Sequence, residues 1–496
     1  MPSPSSSSSA PADLDALMDL DAVAQAELLS AGDISAVELA RAALARIERL
    51  NPLVNAVCSL DPERALAVAR DVKTARPGEF ARSGGSGGPL AGVPTLIKDL
   101  TAYPGLPVGA GSRIFQGMAA PAGSPYTGAL DAAGLVVLGK SAASEFGLLG
   151  TTEPLVYGPT RNPFDLSRSP GGSSGGAAAA VAYGMIPVAH ASDAGGSVRG
   201  PASLCGLFGF KPSRGRTVPN GVPDALPLSR LLSDHCLSRT VRDSAAWLAV
   251  TERTDADAPF APVGFVREPA SARLRIGFFR KDASGAAPEP DALCALEAAR
   301  ALCASLGHEL IETDGPKCGA FAQSDAFFLM AGAGLAGLFA QMRALMGEHF
   351  RENAAEPYTR HLVELARKSP PEALARALAG LDAATALADE EMARFDVLLS
   401  PTTPFAAFPL GLYGPEADPA ALMDFTRRLA GYTVTASAAG WPAMSVPLYA
   451  NPDGLPLGVH FAAPCGHDER LLRLAYALEE AAPWAGRRPV LPGGRG

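Results

Sequence analysis

The segment RSPGGSSGGAAAAVAYGMIPVAHASDAGGSVRGPASLCGLFGFKPSRG, residues 168–215, decides how the chain reads. Its first glycine-serine run, GGSSGG at 171–176, leads straight into AAAAVAYGM, a strong helix former, so the run opens a helix. The first N–H groups of a helix are unpaired and its dipole is positive there, which favours developing negative charge. Ser197 follows 24 residues after Ser173, inside DAGGSVRG at 193–200. Consecutive glycines before a serine let the amides of Ala194, Gly195, Gly196 and Ser197 turn toward one point, as an oxyanion hole requires. A run of nearly the same composition, SGGSGG at 83–88, has no such context. Its neighbours Arg76, Pro77, Gly78, Glu79 and Arg82 are polar or turn-forming, which predicts a surface loop.

Working outward, GVPTLIKDL at 92–100 reads as a short apolar strand that carries Lys98 into a stretch otherwise fit for burial. GLVVLGK at 134–140 is a second buried strand, preceded by the helical TGALDAAG. From 13 to about 58 the pattern is helical, with Ser35 and Glu38 forming a capping box. DPERALAVARDVKTA continues as helix. Beyond 290, EPDALCALEAARALCASLG is helical, HELIET a strand, and 318–395 mostly alanine-rich helix. FDVLLSPTTP (395–404) and WPAMSVPL (441–448) return to buried strands, and DERLLRLAYALEEAAPW closes with an amphipathic helix. Strands alternating with helices predict an α/β layered fold, and no internal repeat is present.

Composition narrows the function classes. The chain has 496 residues, 48% hydrophobic and 19% charged, the balance of a globular enzyme. A net charge of −9 with no basic run longer than a pair disfavours nucleic acid. The first basic residue is Arg41, so a secretory signal is not expected, and MPSPSSSSSAPA reads as a disordered tail. Seven scattered cysteines without a C-x-x-C pair suit free thiols in a reducing cytoplasm, with no structural metal and no cofactor. The apolar stretch 326–342 is 17 residues and glycine-rich, better suited to a buried helix than to a membrane span.

GGSSGG followed by SDAGGSVRGPASLCGLFGFKPSRGR resembles the amidase signature family of serine hydrolases. GVPTLIKDL resembles that family's lysine strand, LGKSAASEFG its following helix entry, and DVLLSPTTP with GWPAMSVPL…DGLPLGVHF its C-terminal strands. The resemblance implies an α/β amidase signature fold, with a large central mixed sheet covered by helices on both faces. It implies one domain over 13–490, a tail at 1–12, a flexible end at 491–496, and a helical specificity portion over about 270–395. It further implies Ser197 as nucleophile, Ser173 as bridging serine after a cis peptide from Gly172, and Lys98 as base, with Ser174 the competing bridge. Ser192 stands where the family commonly has threonine, Ala194 where a larger residue is usual, and Gly200 follows the arginine of GGSVR.

The residues agree with such a relay. Of the histidines at 190, 235, 308, 349, 361, 460 and 467, only His190 is near the motif, where it reads as a core or sheet-edge residue. A serine hydroxyl needs a base within reach, and a free lysine with a pKa of about 10.4 is charged at neutral pH. Burial of Lys98 would lower that value, whereas a strand-end lysine facing solvent, or one paired with Asp99, would stay charged. Asp193 and Arg199 read as an ion pair supporting the loop.

For the substrate pocket, the segment 318–365 is the expected source. Phe327, Phe328, Leu329, Met330, Leu335, Leu338 and Phe339 offer an apolar lining, or else ordinary core, and Gly172 is expected beside the substrate. No charged handle stands out, so the expected partner is a small neutral, hydrophobic amide or carbamate, acted on by a monomer or homodimer without nucleic acid or membrane. TTEPLVYGPTRNPFDLSRSPGGSSGG and LEEAAPWAGRRP resemble nylon-oligomer (6-aminohexanoate cyclic-dimer) hydrolases and related aryl-acylamide and carbamate hydrolases. Three other readings stand beside this one. The first is the A subunit of a glutamine-dependent tRNA amidotransferase, and the second a catalytically silent binding protein. The third is a nicotinamide-dependent oxidoreductase from GAGLAG at 332–337, although the following GEHFRENAAEPY is no buried strand. HELIE lacks the second histidine of a zinc-protease helix, and GHDER reads as the start of a helix.

Overall fold

The computed structural model describes residues 14–72, 88–223, 226–316, 318 and 320–490. The expected tails at 1–12 and 491–496, and the SGGSGG run except its last glycine, lie outside the described residues.

Among the described residues eleven strands form two sheets. The small one has the order β1 (Val57–Leu60), β3 (Val136–Ser141), β2 (Pro94–Lys98), with β2 and β3 parallel and β1 antiparallel to β3. The large one contains β4 (Val188–Asp193), β5 (Phe208–Lys211), β6 (Ser233–Ser238), β7 (Arg275–Phe278), β8 (Glu309–Glu312), β9 (Val397–Pro401), β10 (Ala443–Ala450) and β11 (Pro456–Ala462). Its order is β4-β6-β5-β10-β11-β9-β7-β8, antiparallel as far as β9 and parallel from β9 to β8, the large mixed sheet expected.

Side chains that alternate along a strand put the two faces of this sheet into different cores. Leu399, Met444 and Phe461 pack with the helices Pro290–Ser305 and Asp468–Ala481. Their neighbours Leu398, Ala443 and Ala462 pack with Ala373–Met392 and Val434–Ala439.

The helix opened by GGSSGG is Gly175–Ala182, and every residue of it is buried. A helix apolar all round has no solvent face, and this one packs against strands of both sheets. The sheets meet where β2 runs beside β4. Thr95 Oγ1 donates to the Val188 carbonyl at 3.0 Å, and the Lys98 amide donates to His190 Nδ1 at 3.2 Å.

The strands β1, β4, β5, β6 and β7 were not anticipated; β1 begins inside the stretch expected to be helical to about 58, where the helix in fact ends at Val54, and β6 shows why polar strands escape notice. Its sequence SDHCLS is polar, yet all six residues are buried because their groups are paired: Asp234 with His190, His235 with Ser244. The portion 270–395 is not wholly helical, since β7 and β8 lie within it and join the large sheet. HELIE is the strand β8, and GHDER begins the helix Asp468–Ala481. All seven cysteines are free.

GAGLAG lies inside one helix, Ala320–Met346, and not between a strand and a helix, which removes the dinucleotide reading. That helix is long and apolar enough to cross a membrane by composition. Here it packs along the helix Pro357–Lys368, burying Phe328, Ala331, Leu335 and Phe339 against Tyr358, Leu362 and Val363. Gly332 sits at the closest approach, where a Cβ would lie 2.1 Å from the Leu362 carbonyl oxygen. Helix propensity alone would make Gly332→Ala stabilising by about 1 kcal/mol. The carbonyl contact reverses the sign, and we expect a net loss of about 1–3 kcal/mol in urea unfolding. A stability gain would show that the helices separate freely.

Candidate active site

Lys98 ends β2 with no exposed surface, and its Nζ lies 2.8 Å from Ser173 Oγ. Its other contacts are both to Ser192, with Oγ at 3.0 Å and the carbonyl oxygen at 3.2 Å. Burial pushes this amine down to about 7, against the pull of the Asp234 and Asp193 carboxylates. The solvent-facing and Asp99-paired alternatives both fall: the Asp99 carboxylate accepts from the Gly111 amide and the Tyr157 hydroxyl, each at 3.0 Å.

The Gly172–Ser173 peptide is cis. Ser173 points its hydroxyl at Lys98, while Ser174 donates to the Ser192 carbonyl at 3.3 Å, so the geometry selects Ser173 as the lysine's partner. Gly172 touches the cleft on one side and backbone on the other, where a Cβ would lie 2.4 Å from the Thr151 carbonyl oxygen.

His190 is the buried, satisfied histidine expected. Its Nδ1 accepts from the Lys98 amide, so Nε2 carries the proton and donates to Asp234 Oδ1 at 3.0 Å. Burial lowers its pKa despite Asp234, which keeps the ring neutral.

Ser197 lies beyond the end of β4 and lines a cleft enclosing about 650 Å³ of empty space, its open mouth included. Among the described residues its hydroxyl makes no hydrogen bond to Ser173; Ser197 and Gly172, the residue before Ser173, both line the cleft. Asp193 organises the loop that carries Ser197. Its carboxylate accepts from the Gly196 amide (2.7 Å), the Val198 amide (3.1 Å) and the Arg199 guanidinium (2.8 and 2.9 Å). Burial alone would raise its pKa, but Arg199 overrides that and holds the carboxyl well below the usual range. The expected ion pair is present, with both partners fully buried.

Two sets of expected residues need correction. Of the four amides expected to converge, that of Gly196 is already paired with Asp193, which leaves those of Ala194, Gly195 and Ser197, residues that all line the cleft. Of the expected apolar lining, only Phe327 reaches the cleft, together with Ser324 one turn earlier. Phe328 faces the helix Pro357–Lys368, and Met330 packs with Leu231, Leu381 and Ala438. Phe328, one position along the helix, turns to another face, while Met330, three positions on, shares the face of Phe327 but is fully buried beside it in the core, so a run of apolar residues cannot all line one wall.

The remaining lining was not anticipated. Gly147, Leu148, Leu149 and Gly150 form one wall; Thr426, Leu429, Ala430, Thr433 and Val434 form another; Thr402 closes a third side. Thr402 lies in the DVLLSPTTP stretch already singled out, but nothing in the pattern marked its side chain. Among the described residues no charged side chain lines the cleft.

Removing one member of a buried ion pair strands the other charge, a cost of about 3–5 kcal/mol. Arg199→Leu is expected to lose stability of that order in urea unfolding, far more than removal of the exposed Arg376–Glu372 pair. Equal effects would mean that Asp193 finds other partners.

The family model described as Amidase matches residues 38–472. The 6-aminohexanoate-cyclic-dimer hydrolase of Paenarthrobacter ureafaciens is 34% identical over 492 residues, covering 95% of this chain and 96% of that one. A solved structure of 6-aminohexanoate cyclic dimer hydrolase complexed with substrate matches with a TM-score of 0.86 at 31% identity, over 95% of this chain and 99% of that one. A bacterial aryl acylamidase matches with a TM-score of 0.79 at 27% identity, over 94% and 97%. The glutamyl-tRNA(Gln) amidotransferase component of the same kind from Salinispora arenicola, its A chain, is 34% identical over 500 residues, covering 94% and 98%.

Proposed function

Since the chain belongs to the amidase signature family, we propose that it hydrolyses neutral, hydrophobic amides through a Lys98–Ser173–Ser197 relay and an acyl-enzyme, and cleaves aryl esters and carbamates by the same route. The observation that carries this reading is the buried Lys98 amine, 2.8 Å from Oγ of Ser173, the residue next in the chain to Gly172 of an uncharged cleft that Ser197 lines.

A neutral lysine has two N–H groups and one lone pair. The Ser192 carbonyl can only accept, which uses one N–H, and the Ser192 hydroxyl takes the second. The lone pair is then left for the Ser173 proton. In the reaction Lys98 receives that proton, Ser173 takes the proton of Ser197, and Ser197 Oγ bonds to the carbonyl carbon. A turn of the Ser197 side chain closes the gap to Ser173, since catalytic hydrogen bonds commonly tighten only with substrate bound. Charge on the former carbonyl oxygen falls to the amides at the cleft. The relay runs back to protonate the leaving nitrogen as the C–N bond breaks. Water then attacks the ester of Ser197 through the same groups, releasing the acid.

The cleft supports a neutral substrate. Glutamine would bring a charged amine and carboxylate into a site without a charged lining residue, a desolvation cost with no return. This favours a free-standing amidase over an amidotransferase component, although identity to both kinds of relative is the same 34%.

Two measurements test the reading. A panel of anilides, aliphatic amides and aryl carbamates should be turned over by the purified chain alone and not by Ser197→Ala; equal rates in the two proteins would refute it. The pH profile has a defined sign. The neutral amine is the active form, so kcat/KM should fall as pH drops through about 7 and level off above it, the value to which burial brings Lys98. A profile flat from pH 5 to 9 would remove the lysine base.

A further inference from the structure

The Gly195–Gly196 peptide lies between two glycines, and this is a mechanical weakness. A Cβ built at Gly195 would meet nothing within 4 Å, and Gly196 holds a φ of +138° that side-chain-bearing residues rarely adopt. Sterics therefore do little to stop this peptide from rotating. If it turned over, the Gly195 carbonyl would leave Thr433 and face the Asp193 carboxylate where the Gly196 N–H now points, and the amides on either side would lose their fixed positions.

Two hydrogen bonds hold the peptide from opposite ends. The Gly196 amide donates to Asp193 Oδ1 at 2.7 Å, and the Gly195 carbonyl accepts from Thr433 Oγ1 at 2.5 Å. Thr433 is the N-cap residue of the helix Val434–Ala439, a position where a threonine hydroxyl ordinarily accepts from its own helix. Here it makes no cap bond, and its proton goes across to the loop. Thr433 is itself fixed: its carbonyl accepts from Arg199 Nη1 at 2.8 Å. The other guanidinium hydrogens go to Asp193, Ser437 Oγ (2.9 Å) and His460 Nε2 (2.9 Å), so all five are used. Arg199 thus ties both clamps, Asp193 and Thr433, to one buried plane.

We infer that Thr433 is a positioning residue for the reaction: its hydroxyl fixes the Gly195–Gly196 peptide from the end opposite Asp193 and so holds the neighbouring amides of Gly195 and Ser197 in place for the oxyanion. It acts through the loop and not on the substrate's reacting atoms, although it also lines the cleft wall. The inference rests on the serine-amidase reading for its kinetic consequence, but the clamp itself is a property of the folded loop.

The test compares Thr433→Val, which keeps the shape and removes the proton, with Thr433→Ser, which keeps the proton and removes a methyl. Loss of a direct oxyanion donor costs about 100–1,000-fold in kcat, and an indirect loss is expected to cost about 10–100-fold. KM for the best anilide of the panel should stay within about threefold, and Thr433→Ser should recover most of the rate. Hydrogen exchange across 194–198 should quicken in the valine variant, and its crystal structure should show the Gly195 carbonyl displaced. Four results would each overturn the inference: an unchanged kcat in the valine variant, a rise in KM without a loss in kcat, a serine variant as slow as the valine one, or an undisturbed loop. If the wild type turns over no amide, the hydrolase reading fails instead, and exchange and crystallography still decide the clamp.

Discussion

Lys98 reaches Ser173 because β2 ends against β4, and the short distance between amine and hydroxyl is set by how two sheets meet. The junction is narrow. One hydroxyl bonds to one carbonyl, from Thr95 to Val188, and the Lys98 amide bonds to His190, whose far nitrogen is held by Asp234. A slip of one residue in β2 would turn the Lys98 side chain to the other face of its sheet. The buried His190–Asp234 pair thus reads as a register device, and its own chemistry need not enter the reaction. Once the register is set, burial does the electrostatic work. The amine has hydroxyl and carbonyl partners and no carboxylate in direct contact among the described residues, so a substantial share of it is neutral near pH 7.

A different problem arises at Ser197. A loop that offers several amides to one point must be rich in glycine, and glycine gives up the steric control that would hold those amides in place. The chain answers with a buried charge. Asp193 accepts from two loop amides and is neutralised by Arg199, which is saturated by five acceptor contacts. A buried ion pair is weak evidence for stability in itself, since desolvation offsets much of its attraction. Its value here is geometric, because each hydrogen bond in the set removes one way for the loop to relax.

Legibility followed the same division. Lys98, Ser173, Ser197 and the loop between Asp193 and Arg199 could be read from the chain, because glycine runs, a helix start and a lysine in an apolar strand are local signals. The sheet class was legible too, from strands such as GVPTLIKDL and WPAMSVPL. What could not be read depends on distant pairing. The polar strand β6 is buried only because His190 and Ser244 lie opposite Asp234 and His235. The pairing of Gly196 with Asp193 hides in a sequence that looks like four free amides. Phe328 and Met330 are as apolar as Phe327, and only what packs along each turn of the helix Ala320–Met346 separates the cleft from the core.

The cleft walls come from parts of the chain outside the motif. The wall at 147–150 is braced within its own segment by the Ser144 hydroxyl, which donates to the Leu149 carbonyl at 3.1 Å. Gly147 also sits so close to the site that a Cβ there would lie 3.3 Å from Ser173 Oγ. The wall at 426–434 is held through Thr433 and Arg199. Between these moorings the lining side chains Leu148, Leu429 and Val434 make no bond to the relay, so their size can change without moving Lys98 or Ser173. Such a layout separates the question of which acyl group fits from the question of how the bond is broken. It accounts for a family in which relatives with differing substrates keep one fold over nearly the whole chain, as the hydrolase and acylamidase structures do here.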